Sequence, residues 1–504
     1  MAPLLRKPIL IPIEGLDYSK PSTLINDRAG FPKNVRLLKN EIAKRQGKSL
    51  YGDTIVSDET QIMGYGTLTL DDGSSYMVRA SKDEIEKYNS ATSDWVSIAD
   101  ANLTGGNDDL VEFTTVTESG FLIITNGVDK VRKWTGSGNN SALSGDPPKA
   151  KYCEYLSPYL LLANVDDGST YPWKVQWCDT GDPEEWATGN SGSEVLADEP
   201  SEIKQIKKMN EYVACYKKNS LWLGRKVATS DVFNFDCIQT GVGLASPRAV
   251  IDINGQHYFM GFNDFYIWNG SRLESFGGAV RDVVFSTIDK DNIDRSFAIE
   301  VSEDNEIWFF IVESGQSWAN AIYKYNYVNG YWYKDDCSNL TAVTRWESVT
   351  SKTWADMTTT WATELSRWGD NVSIAGYKDI IVGDSDGYSY KVDSTTTNDN
   401  GTAVSGEWES RDFVADKFEF NKRWLQMDVW AKGPGTLKCS YSTDYGDNWT
   451  SISNLTLTDE YSKQRVYFDI VAERIRFKFV ENSSGGIFYL RNFYPYFLER
   501  EATS

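Results

Sequence analysis

The chain has 504 residues, with 51 Lys and Arg against 72 Asp and Glu, a formal net charge of −21. That balance argues against a sequence-reading nucleic-acid binder, which needs a basic face to neutralise phosphates. Aromatic residues make up 13% of the chain, with 18 Trp and 28 Tyr beside 39 Gly, a composition of strands and turns rather than helices.

The first segment, MAPLLRKPILIPIEG, is broken by Pro3, Pro8 and Pro12 and holds no uninterrupted apolar run, so it does not read as a signal peptide. Residues 1–55 are expected to form an extended basic arm. Within it NVRLLKNEIAKRQG reads as a strand, a Lys-Asn turn and a second strand. Such an arm on an acidic protein crosses either onto the body of its own chain or onto a neighbouring subunit.

From residue 56 to 395 one signal recurs: a short alternating strand ending in Tyr or Trp, then a turn rich in Asn, Gly or Asp. It falls at Tyr88, Trp134, Trp177, Trp222, Trp268, Tyr325 and Tyr390, with separations of 46, 43, 45, 46, 57 and 65 residues. A period of about 40–50 residues with strand-turn-strand texture is that of propeller blades, small sheets that bury their faces only by stacking on neighbours. The expected fold is all-β: a β-propeller of six or seven blades, an N-terminal extended arm and a C-terminal β-sandwich-like domain over 396–504. Helical periodicity is confined to a short candidate within 279–297. Residues 340–370 interrupt the rhythm with Trp346, Trp354, Trp361 and Trp368 spaced by 8, 7 and 7, an insertion whose indoles need a surface to cover them. The tract VDSTTTNDNGTAVSG reads as a polar linker before the C-terminal strands.

Chemistry-bearing motifs are few. Ser442, Asp444, Gly446 and Trp449 match the Asp-box pattern S-x-D-x-G-x-x-W, a hairpin turn whose carboxylate caps backbone N–H groups. Its expected role is structural. The single histidine, His257, sits in a strand and removes most His-dependent triads and metal sites. The acidic turn VGDSDGYSY, with Asp384 and Asp386, lacks a distal bidentate Glu and reads as a hairpin rather than a calcium loop. Six scattered cysteines show no framework spacing and read as reduced thiols. Neither a catalytic site, a metal nor a cofactor is expected.

The stretch GLDYSKPSTLINDRAGFPKNVRLLKNEIAKRQGKSLYG, the segment WCDTGDPEEWAT, the run GVGLASPRAVIDINGQHYFMGFNDFYIWNGSRLESFG and the Trp/Thr repeat resemble the tail nozzle, or tail tubular, proteins of short-tailed bacteriophages. The neighbouring class of packaged-DNA-stabilising tail-hub proteins is similar to nearly the same degree. The resemblance implies a structural virion protein, not an enzyme. It would form a homo-oligomeric, typically hexameric, ring that retains packaged DNA and lets it pass on ejection. It also implies adaptor and portal-proximal tail proteins, and tail fibres, as partners, with viral DNA passing through the lumen. Assembly would be in the bacterial host cytoplasm, without membrane insertion. On that reading Arg36, Lys44 and Arg45 would dock the arm, and Trp354, Trp361 and Trp368 would form intersubunit contacts. The rival expectation is a carbohydrate-binding or glycoside-hydrolase propeller, in which the abundant Trp and Tyr stack on sugar rings.

Overall fold

The computed structural model describes residues 5–6, 9–10, 15–21, 23–24, 30–38, 41–56, 60–166, 168, 170–227, 232–346, 379–414 and 421–499. Every extended element in it is a β-strand, apart from one short α-helix, Arg281–Thr287, which lies inside the expected helical stretch, and two 3-10 turns.

Five four-stranded antiparallel sheets follow one another along the chain, over 64–97, 112–142, 149–195, 203–240 and 250–275. A sixth meander comprises Phe297–Val301, Glu306–Ile311, Ala319–Asn326 and the long strand Tyr331–Trp346. The far half of that long strand turns to a different partner, Asp379–Asp384, which pairs with Ser389–Asp393. The fourth strand of this seventh group is Gly47–Leu50, from the other end of the chain. Because one strand serves two groups, they merge into a single large sheet.

The aromatic period has a structural phase. Tyr88, Trp134, Trp177, Trp222, Trp268, Tyr325 and Tyr390 all lie on the third strand of their group. The Trp members point into cores shared by consecutive sheets. Trp134 packs with Leu68 and Val78 of the first sheet and Leu122 of the second, and Trp268 with Ala214 and Leu221 of the fourth. Each sheet therefore buries one face against the next, as sheets too small to hold a core alone must. The seventh group also meets the first: Trp346 and Ile381 pack with Met77 and Trp95. Arg79, fully buried, pairs with Glu86 at 2.6 Å, lies 4.3 Å over the Trp95 ring and donates to Ser389 Oγ and the Thr54 carbonyl.

The C-terminal strands form a two-sheet sandwich. One sheet orders Ser462–Ala472, Lys422–Lys432, Tyr489–Glu499, Glu41–Lys44 and Val35–Leu38, with the two-residue strands Leu5–Arg6 and Ile9–Leu10 also pairing with Tyr489–Glu499. The facing strands are Gly30–Lys33, Gly406–Ser410, Arg476–Glu481, Thr436–Ser442 and Thr450–Thr456. Between them lies a core of Trp408, Phe413, Trp424, Met427, Phe477, Phe479, Phe493 and Phe497.

The basic N-terminal stretch is thus woven into its own chain. Val35–Leu38 and Glu41–Lys44 pair as an antiparallel hairpin, as their pattern predicts, inside the sandwich. Lys44 is fully buried and donates to Glu481 at 2.7 Å and to the carbonyls of Ser483 and Gly486 at 2.7 and 3.1 Å. All three ammonium protons are used, which is what makes a buried lysine tolerable. Arg45 forks onto Asp399 at 3.0 and 2.7 Å and ties the same stretch to the linker. Arg36 is half-buried beside a cavity of about 90 Å³ lined also by Glu306 and Trp308. Trp354, Trp361 and Trp368 lie outside the described residues.

Candidate functional site

Three places could carry chemistry. The first lies along and just before the first strands of neighbouring small sheets. Here Glu112 faces Arg248 at 3.5 Å, Asp294 holds Lys204 at 2.9 Å and Asp108 holds Arg295 at 2.7 Å. Gln205 spans the gap to the Pro247 carbonyl. Arg248, Asp294 and Arg295 also line a cavity of about 10 Å³ shared with Gln61 and Trp318. Each of these carboxylates has a cation beside it, with Asp108 and Asp294 largely open to solvent and Glu112 buried. Burial pushes the Glu154 carboxyl up, with Lys207 countering it, and also pushes the Arg248 guanidinium down.

The second place is the Asp box. It forms the hairpin turn between Thr436–Ser442 and Thr450–Thr456. Asp444 Oδ1 accepts from Ser442 Oγ at 2.6 Å and from the Asn448 backbone N–H at 3.0 Å, while Oδ2 accepts from Asn448 Nδ2 at 2.7 Å. The hydroxyl of Ser442 and the Asn448 donors hold the Asp444 carboxyl down at about 2. Gly446 takes φ +97, where a side chain would be strained. Trp449 is half-buried with Lys478 4.6 Å over its ring. The carboxylate is consumed by its own turn.

The third place is the outward face of the sandwich sheet, which sequence reading missed. Alternation sends Trp424, Met427, Val429 and Ala431 into the core and leaves Gln426, Asp428 and Trp430 on the other side. The registers then build three cross-strand rows. Tyr467 stands opposite Gln426, which stands opposite Tyr496; Arg465, Asp428 and Tyr494 make the second row, and Lys463, Trp430 and Asn492 the third. Tyr467 is 71% exposed. Arg465 grips Asp428 with two hydrogen bonds at 2.5 and 2.9 Å, and Tyr496 Oη donates to the same carboxylate at 3.0 Å. The Arg465 hydrogen bonds, with help from Tyr496, keep the Asp428 carboxyl below the usual range. The result is a fixed polar centre flanked by aromatic side chains. Such a face offers ring surfaces to apolar C–H groups and donors and acceptors to hydroxyls.

Elsewhere the expectations for single residues resolve simply. His257 is buried; its Nδ1 lies 2.7 Å from Tyr216 Oη and its Nε2 3.0 Å from the Lys208 carbonyl. Burial pulls its pKa down to about 4. Asp384 Oδ1 accepts from the backbone N–H groups of Asp386 and Tyr388, so VGDSDGYSY is a hairpin turn. Among the described residues no group of three or more His, Cys, Asp or Glu is arranged to hold a metal ion, and no helix is long and apolar enough to cross a membrane. The six cysteines are free thiols.

No family model matches the chain, and no curated protein matches it. Among solved structures it is similar to the WD40 domain of Neurospora crassa Pan2, at 8% identity over 70% of this chain and 95% of that one, with a TM-score of 0.40. It is similar to PorZ, a surface component of the type-IX secretion system of Porphyromonas gingivalis, at 11% identity over 58% of this chain and 35% of that one, with a TM-score of 0.33. A family 29 carbohydrate-binding module matches at 15% identity over 23% of this chain and 70% of that one, with a TM-score of 0.15. None of these is a tail or virion component, and the expectation of a virion ring that retains and conducts DNA is corrected accordingly. The basic residues that the resemblance assigned to docking have work inside the chain: Lys44 and Arg45 are bound to Glu481 and Asp399.

Proposed function

We propose that this chain is a carbohydrate-binding protein in which a seven-bladed β-propeller carries a sandwich whose outer sheet face holds a glycan. The observation that carries the reading is the platform itself: Tyr467, Trp430, Tyr494 and Tyr496 arrayed around the Arg465–Asp428 pair on three adjacent strands. A flat ring presented by a rigid strand loses little side-chain entropy on binding; the buried Asp428 carboxylate holds the partly exposed Arg465 guanidinium in place, and that guanidinium and the Gln426 amide are available to hydroxyls. Three features support the closed propeller. They are the shared cores from sheet to sheet, the packing of the seventh group on the first, and Gly47–Leu50 completing that seventh group from the N-terminal side. Ring closure by a strand from the opposite end of the chain leaves no open edge for aggregation.

The test is titration calorimetry of the full chain against a panel of hexasaccharides, neutral and acidic. Binding to at least one, weakened about tenfold or more by Tyr467→Ala and by Trp430→Ala, is the expected result. Absence of binding across the panel, or binding indifferent to both substitutions, overturns it.

A further inference from the structure

Resting on the glycan-binding reading, we infer that the ligand of this face is an acidic glycan, one whose sugars carry carboxylate or sulfate groups. The chain has a net charge of −21, yet the outward side of these three strands has the opposite sign. Arg423, Lys432, Lys463, Arg465 and Arg491 stand there against Asp428 and Asp469. Glu41 adds one carboxylate from the adjoining strand, and Asp459 and Glu460 stay in the turn that bounds the sheet.

How those charges are engaged matters more than their number. Arg423 and Asp469 neutralise each other at 2.5 Å at one end. In the centre Asp428 is already taken by the fork of Arg465 and by Tyr496, and Lys463 reaches it only at 3.6 Å with 46% of its side chain exposed. A carboxylate so engaged offers Lys463 little further neutralisation. At the other end Lys432 lies over the rings of Tyr461 and Tyr489, at 4.8 and 5.0 Å, and Arg491 lies 3.9 Å over Tyr461. Glu41 accepts from Tyr461 and lies 4.0 Å from Arg491. Lys463 and Lys432 therefore hold charge that the face does not compensate, Lys463 directly across from Trp430 on the neighbouring strand and Lys432 two residues along Trp430's own strand. Alternate residues on a strand are about 7 Å apart, so the cations and rings form a track along which a chain with repeated anionic groups gains an attraction at successive sugars. Elsewhere the acidic surface repels such a polymer, which confines it to this track.

The experiment compares four probes on the full chain: hexagalacturonate, its methyl ester, a chondroitin sulfate hexasaccharide and its desulfated counterpart. The expected result is a preference of about tenfold or more for one acidic probe over its charge-masked partner. That preference should fall as salt rises from about 0.05 to about 0.5 M, because exposed charges are screened over a few Å at high salt. Lys463→Gln should reduce the preference several-fold with thermal stability unchanged. The arm that responds tells carboxylate from sulfate. Equal affinity for acidic and masked probes, or salt-independent binding, overturns the acidic assignment while the glycan reading stands. Absence of binding by all four and by the neutral panel removes both.

Discussion

The small sheets and the sandwich use the same residue types in opposite ways. In the sheets over 64–275, the recurrent Trp134, Trp177, Trp222 and Trp268 are each at most 3% exposed, and they serve as mortar between neighbours. In the sandwich the core takes Trp408, Trp424 and six Phe, and Tyr467, Tyr494, Tyr496 and Trp430 are left on the outside around a charged centre. A sheet packed on both faces has no surface to offer, whereas a sandwich sheet has one face to spare. On the glycan-binding reading the labour is divided: the repeated sheets hold structure, and the spare face carries the recognition.

That contrast can be broken by mutation. Trp268→Ala empties a fully buried indole site between the fourth and fifth sheets and should cost about 3–5 kcal/mol, read as a lowered midpoint in chemical denaturation. Lys44→Ala strands Glu481 in the core and should cost a similar amount, about 3–5 kcal/mol; the double change Lys44→Met with Glu481→Leu should restore much of it.

His257 gives a smaller, pH-dependent effect. Its pKa is lowered in the fold to about 4 from 6.5, so the neutral form is bound into the native state and the unfolded chain takes up the proton first. The stability it contributes is present above about pH 6.5 and drains away as pH falls through about 4, by about 3 kcal/mol in all. Denaturation midpoints measured across that window should slope less in His257→Phe than in the parent. Asp428 has the carboxylate sign: its lowered pKa means that its grip on Arg465 is complete above the ordinary carboxylate range and is lost only at more acidic pH. Asp428→Asn should therefore weaken glycan binding at neutral pH about as much as strong acid does in the parent, measured by calorimetry at two pH values. The smallest effect on folding is that of Tyr467→Ala, within about 0.5 kcal/mol of the parent, because the ring is mostly in water. A buried and an exposed aromatic thus separate stability from binding.

Much of the local architecture was legible. The aromatic period marked the third strand of every group because that position is the one each sheet repeats, and the NVRLLKNEIAKRQG hairpin formed where its alternation predicted. The platform was legible in principle: Lys463, Arg465, Tyr467 and Asp469 alternate at period two, as do Gln426, Asp428 and Trp430. Within one strand, however, an alternating polar-aromatic pattern says only that one side is wet. The Asp box drew attention by its motif, and its carboxylate proved to be closed on itself.

What the sequence by itself determined is whatever depends on residues near one another along the chain: strand periodicity, turn positions, the phase of the repeat and the sidedness of each strand. Only the tertiary structure decided the pairings across hundreds of residues. Lys44 meets Glu481, Arg45 meets Asp399, Gly47–Leu50 joins Ser389–Asp393, and Tyr467, Gln426 and Tyr496 fall into one row. The physical reason is that alternation fixes which side of a strand is buried but not which strand lies beside it. That choice belongs to the packing of whole sheets, where loop-closure entropy grows only slowly with the length of chain between partners.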